Sequence, residues 1–195
     1  MGNFYNHFKK VCKHKYWVGY YCFKAGIPWR GIKHDMSKFS PVEFLESVKY
    51  YQGNRSPIDR CKEVNGWSKA WQHHKGRNDH HYEYWIDDFD HGGKPLEMPP
   101  ECAIEMLCDY LGAGRAYSGD LFSYANELEW WKKKIQNPLA MHPVTKMFIN
   151  FELTKIAKAE ASEDFNLKKL LNNRQLRWEY AVCEGIWKSK QNYKL

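Results

Sequence analysis

Apolar residues recur along this chain at three-, four- and seven-residue intervals, and no stretch alternates convincingly with the two-residue period of a half-buried strand. Phe4, Phe8, Val11, Val18 and Cys22 mark one helical face over Asn3 to about Ala25, and Gly26-Ile27-Pro28 stops that helix. A short second helix is predicted from about Trp29 to Lys38. Ser40-Pro41-Val42-Glu43 then forms a start signal, with a capping serine, a proline at the first helical position and a glutamate to close a capping box. The third helix ends near Gln52-Gly53, and Asn54 to Asn65, with Pro57 and several charges, reads as a connector. Trp67 to about Lys75 is helical, Gly76 leaves its continuation open, and His91-Gly92-Gly93-Lys94-Pro95 is a loop. Further helices are predicted from Pro100 through Asp109 to about Gly112, from Ser123 to Gln136, from Val144 to about Ala161, and from Leu167 to Ser189 with a weak point at Asn172-Asn173. Gly112-Ala113-Gly114-Arg115 lacks the strand and the Lys-Ser/Thr pair of a phosphate loop, and reads as a helix end. The expected fold is all-α, a single helical domain over residues 1–195.

Composition narrows this picture. At 195 residues, 43% hydrophobic and 16% aromatic, the chain buries a core of its own, and disorder is excluded. Trp130-Trp131 and Trp178, on amphipathic helices, are assigned to that core. No run of 18 apolar residues predicts a transmembrane helix, and the N-terminal residues carry no signal pattern, so a cytoplasmic protein is expected. The six cysteines include no C-x-x-C pair and are expected as reduced, mostly buried thiols. A net charge of +7 favours anionic partners, but Lys and Arg are dispersed and no nucleic-acid-binding motif accompanies them.

The chemistry is concentrated in two segments. Five of nine histidines lie in His34-Asp35-Met36-Ser37-Lys38 and in the block His73-His74-Lys75-Gly76-Arg77-Asn78-Asp79-His80-His81-Tyr82-Glu83. An imidazole and a carboxylate side by side reach one divalent cation, and a distant histidine completes an open site suited to hydrolysis or oxygen activation. His14 shares a helical face with Val11 and Val18, and Asp109 lies among Met106, Leu107, Tyr110 and Leu111. A buried aspartate needs a partner: a metal, an arginine, or a hydrogen-bond donor such as a helix end. Arg55-Ser56, at a turn, offers a guanidinium fork and a hydroxyl to a phosphate, and Lys75, Arg77 and Asn78 offer similar contacts from the histidine block.

The order His14, His34-Asp35, histidine block, Asp109 resembles the HD-domain superfamily of metal-dependent phosphohydrolases, and His34-Asp35-Met36-Ser37-Lys38 is similar to its His-Asp-x-Gly/Ser-Lys motif. The resemblance covers about residues 14–109. It implies a helical bundle in which His14, His34, Asp35 and Asp109 form the core ligand set and Lys38 faces the substrate phosphate. The histidine block is similar to that of members that hold two metals, a group including cyclic-dinucleotide phosphodiesterases and di-iron oxygenases. It implies His74 and His81 as extra ligands, with His73 and His80 as the alternative register. Glu83 is implied as ligand, base or orienting partner. The Gly-x-Gly-Tyr-Pro signature of the cyclic-dinucleotide enzymes is missing. The whole chain also resembles an uncharacterised bacterial and phage family with the same two signatures, which implies no activity. Residues 120–195 carry no motif and read as helices completing the core.

The expected function is therefore a phosphohydrolase using one or two divalent ions (Mn, Fe, Ni, Co or Zn) on a nucleotide or other small phosphorylated substrate, with Lys38, Asp35 and Glu83 catalytic. The alternatives are a di-iron oxygenase on the same scaffold and a non-enzymatic basic helical binding module.

Overall fold

The computed structural model describes residues 2–192, and the fold is all-α. Ten α-helices follow one another among these residues: α1 (Gly2–Lys24), α2 (Pro28–Lys33), α3 (Pro41–Lys49), α4 (Pro57–Asn65), α5 (Lys69–Lys75), α6 (Pro100–Ser118), α7 (Tyr124–Lys134), α8 (Pro143–Glu160), α9 (Leu167–Leu170) and α10 (Asn173–Asn192). Between α5 and α6 the chain forms a 3-10 turn at Tyr82–Trp85 and a small antiparallel ribbon, β1 (Ile86–Asp87) against β2 (Lys94–Pro95).

The core is organised on α6. Every residue from Cys102 to Gly112 is buried, because α1, α7, α8 and α10 surround the helix. Val18 and Tyr21 of α1, Leu107 and Leu111 of α6, Trp131 of α7, Phe148 and Ile156 of α8, and Leu176 and Tyr180 of α10 form one apolar cluster. Tyr180 reaches the start of α6 and donates to the Met98 carbonyl at 2.5 Å. No described helix is long and apolar enough to cross a membrane. Cys22, Cys61, Cys102, Cys108 and Cys183 are buried free thiols, and Cys12 is exposed.

Four expectations need correction. The second helix stops at Lys33, so the His34-Asp35 pair is not helical; Asp35 takes the left-handed conformation (φ 54°) and a 3-10 turn, Met36–Phe39, follows. Residues 57–65 are not a connector: Pro57 opens α4 and Gly66, at φ 78°, closes it with its N–H on the Lys62 carbonyl. Gly112 to Arg115 do not end α6, which continues to Ser118 because its glycines serve close packing. A Cβ on Gly112 would stand 2.4 Å from Val18 Cγ2 and 2.8 Å from the Val18 backbone nitrogen, so the α1 and α6 backbones touch there. Finally, Trp131 is core but Trp130 and Trp178 are exposed.

Gly112→Ala forces α1 and α6 apart. It is expected to cost about 1–3 kcal/mol and lower the melting temperature by several degrees. Gly185→Ala, on α10 with open space around the added methyl, is expected to raise stability by about 0.5–1 kcal/mol. Thermal unfolding followed by circular dichroism checks both.

Candidate metal centre

His14 projects from the buried face of α1, and Asp109 from α6. The left-handed turn at Asp35 carries that carboxylate between them; Asp and Asn enter this region at lower cost than other residues with a Cβ. His14 Nε2 lies 3.0 Å from Asp35 Oδ2 and 3.2 Å from Asp109 Oδ1. His34 Nε2 lies 3.2 Å from Asp35 Oδ2, 3.4 Å from Asp109 Oδ1 and 3.3 Å from His14 Nε2. Five of the six distances among these four atoms are therefore near the edge of a tetrahedron whose centre lies about 2.0 Å from each corner, the bond length of a divalent metal to imidazole or carboxylate.

The other oxygen of Asp35 faces a second group. Asp35 Oδ1 lies 3.2 Å from His74 Nε2 and 3.5 Å from His80 Nε2, while His74 Nε2 and His81 Nε2 are 2.9 Å apart. Ligand atoms of Asp35, His74, His80 and His81 all lie within 4.8 Å of one another, as do those of His14, His34, Asp35 and Asp109, and either group could hold a metal ion. Asp35 Oδ1 and His80 Nε2 are buried without a hydrogen-bond partner among the described residues, an orphaned pair that a cation between them satisfies.

The ring nitrogens facing away from this centre have partners of their own. Glu105, one helical turn before Asp109, accepts from His34 Nδ1 at 2.8 Å and lies 3.3 Å from His80 Nδ1. Glu43 accepts from His74 Nδ1 at 2.7 Å and from His73 Nδ1 at 2.6 Å. A carboxylate on Nδ1 fixes the tautomer that leaves Nε2 to a metal. Arg30 anchors Glu105 in turn, through a 2.5 Å contact from Nε.

The charges are tightly balanced. Burial opposes the ionised form of Asp35, but His34, Lys38 and His74 hold its pKa well below the usual carboxylate range. Burial and the neighbouring His80 and His74 keep the His81 pKa well below the ordinary value, and burial with His34 lowers that of His80. Burial raises the Glu105 pKa, but hydrogen bonds from His34 and His80 outweigh it and bring it down to about 2.

The remaining candidates divide clearly. His74 and His81 meet although α5 ends at Lys75, so a shared helical face is not the cause. The chain turns back after Gly76, and this brings His80 into the group as well. His73 is turned to Glu43. Asn78 is buried, donating to Ser37 Oγ at 2.9 Å and to the His74 carbonyl at 2.7 Å, and so ties the histidine block to the 3-10 turn. Lys38 Nζ lies 2.5 Å from Asp35 Oδ2. It lines a cavity of about 160 Å³ with Lys10, His14, Ser56, Asp109 and Tyr117. Glu83 lines an adjoining cavity of about 460 Å³ that also touches Arg55, Ser56, His81, Asp109 and Tyr117. The Arg55 guanidinium is held by Glu63 at 2.6 Å. Arg77 is exposed and lines a third opening, behind His34 and His80, and Lys75 lies in the last turn of α5.

Glu105 and Glu43 were not recognised from the sequence. The spacing of Glu105 four residues before Asp109, on one helical face, was the available signal. Glu43 was assigned to a capping box, yet only its backbone N–H meets the Ser40 hydroxyl, at 3.4 Å.

The chain belongs to the DUF5662 family, a family of unknown function, which it matches over residues 3–155. That span contains every ligand atom of both groups. No curated protein and no solved structure matches the chain.

Glu105→Gln is expected to weaken divalent-metal binding about tenfold to a hundredfold while leaving the helical circular-dichroism signal intact, as read by competition with a chromogenic chelator. An unchanged affinity would mean that the orientation of His34 and His80 does not matter to a metal.

Proposed function

We propose that this member of a family of unknown function is a metal-dependent phosphohydrolase of the HD-domain type, in which Asp35 would help His14, His34 and Asp109 hold one divalent ion and His74, His80 and His81 hold another. The observation that carries this reading is the division of one carboxylate: Asp35 Oδ2 faces His14 and His34, and Oδ1 faces His74 and His80. The cavity beside the first group supports a phosphorylated substrate, since Lys38 and Lys10 line it with His14 and Asp109.

Bound ions would lower the pKa of water from about 15.7 toward about 7 and draw charge from a phosphoryl oxygen. The protein supplies the rest. Lys38, already within hydrogen-bonding distance of Asp35, neutralises charge that builds on the equatorial oxygens. Glu83, with a buried and unshared Oε2 in the adjoining cavity that also reaches His81, is the assigned proton acceptor. Overall, the water oxygen forms a P–O bond, the ester P–O bond breaks, and the leaving oxygen takes up a proton. The cavities narrow the substrate to a small molecule. Arg55, engaged by Glu63, and Arg77, at a separate opening, are left out of the proposed phosphate site.

Metal analysis of the protein loaded separately with Mn, Fe, Co, Ni and Zn is expected to find two equivalents. Asp35→Ala loses both, and His14→Ala and His80→Ala lose one each. Lys38→Ala is expected to lower kcat on a phosphomonoester about a hundredfold to a thousandfold with metal content unchanged. Oxygen consumption by the iron-loaded protein, without phosphate release, would replace this reading with the oxygenase.

A further inference from the structure

The larger cavity contains a group that phosphate chemistry does not use. Glu127, on α7, is only 7% exposed, and burial together with the nearby Asp109 pushes its pKa up to about 8, so it is mostly a neutral carboxyl near pH 7 until a cation faces it. A buried carboxyl without a hydrogen-bond partner is costly. The surrounding chain nevertheless makes room for it. Gly114 of α6 stands where a Cβ would lie 1.9 Å from Glu127 Oε2, so the missing side chain provides the space for this carboxylate. The cavity that Glu127 lines continues to His81 and Asp109 at its inner end.

Its walls are suited to positive charge. Tyr82, Tyr110 and Trp130 line the same space as Glu127. The Lys134 ammonium already lies 6.0, 5.9 and 5.4 Å from the centres of those three rings. Aromatic faces hold a cation through their quadrupole, and they do so more strongly where water is excluded. Lys134 makes no ion pair with Glu127, and a ligand ammonium facing that carboxyl would take over ring faces that Lys134 now covers. At the opposite end, Lys10 and Lys38 make the smaller cavity cationic, and Ser56, Asp109 and Tyr117 border both spaces. Acidic groups outnumber the cations Arg55 and Lys134 around the larger space.

We infer that Glu127, with Tyr110 and Trp130, is a specificity site for a primary ammonium group, so that the substrate carries a positive charge in the cavity that also reaches His81 and Asp109. This rests on the proposed function only for the identity of the other end; the ammonium site itself needs no metal. Glu127 is a binding residue here and takes no part in bond breaking.

The test titrates the 15N-labelled 195-residue chain, with and without Mn, with n-propylammonium chloride, n-propanol and sodium propionate. The Gly114 amide and the Trp130 indole N–H report binding. The expected result is saturable movement of both signals by propylammonium, at least tenfold tighter than by the alcohol or the acid. Glu127→Gln, which keeps the shape and removes the charge, is expected to weaken propylammonium at least tenfold with its melting temperature retained. Gly114→Ala, which displaces the carboxylate without changing its charge, weakens it as well. Equal affinity for ammonium and alcohol, no saturable binding, or an unchanged affinity in Glu127→Gln would overturn the inference. So would tighter binding of a neutral base such as cytosine. A chain that takes up no metal yet binds propylammonium through Glu127 would sink the phosphohydrolase and leave this site standing.

Discussion

Gathering His14, His34, His74, His80 and His81 with several carboxylates inside a helical core is the constraint that the rest of the structure answers to. Charge at that depth is tolerated only where each group meets an opposite charge or a hydrogen bond. The fold satisfies this by giving most of the imidazoles two sides. Nδ1 of His34, His74 and His80 is turned to Glu105 or Glu43, and Nε2 to the shared carboxylate of Asp35. One helix supplies both kinds of acid, since α6 carries Glu105 and Asp109 a single turn apart. The contact of Gly112 with the Val18 backbone then fixes α6 against α1, the helix that carries His14.

The same arrangement explains why two unlike spaces meet at the centre. Lysines face the space next to His14, where Lys38 also pairs with Asp35. Aromatic rings and carboxylates line the space beyond His81. Asp109 and Tyr117 border both, so a molecule reaching from one to the other passes the histidine–aspartate cluster on its way.

Much of this was legible in the sequence wherever the signal is local. Helix faces, the stop at Gly26, the cap at Ser40 and the break near Asn172 follow from residues close in sequence, and the structure has them in place. The His34-Asp35 pair stood out because both ligands are adjacent. What failed was long-range. Continuation of α6 through Gly112 and Gly114 depends on α1 and on Glu127, which no local propensity reveals. The histidine block was judged by helical periodicity, whereas a turn after Gly76 sets its geometry. Glu43 had a sufficient local explanation as a capping residue, and that explanation hid its contact with two histidines thirty residues away. α4 and Glu105 carry local signals of their own: Ser56-Pro57 and Gly66 bracket the helix as Ser40-Pro41 opens α3, and Glu105 lies one turn before Asp109.

The positive φ at Asp35 restricts what mutation can do at this position. Glycine is at ease with that backbone but has no oxygen to offer. Glutamate keeps two oxygens, yet it is less tolerant of the left-handed region and places its carboxylate one methylene too far. Asparagine suits the turn and retains the outline, but one of its two faces becomes an amide donor directed at imidazole nitrogens. Each alternative therefore satisfies the turn or the cluster, and aspartate alone satisfies both. Sequence variation should accordingly be narrower at residue 35 than at any of the histidines around it, whose backbones lie in ordinary conformations.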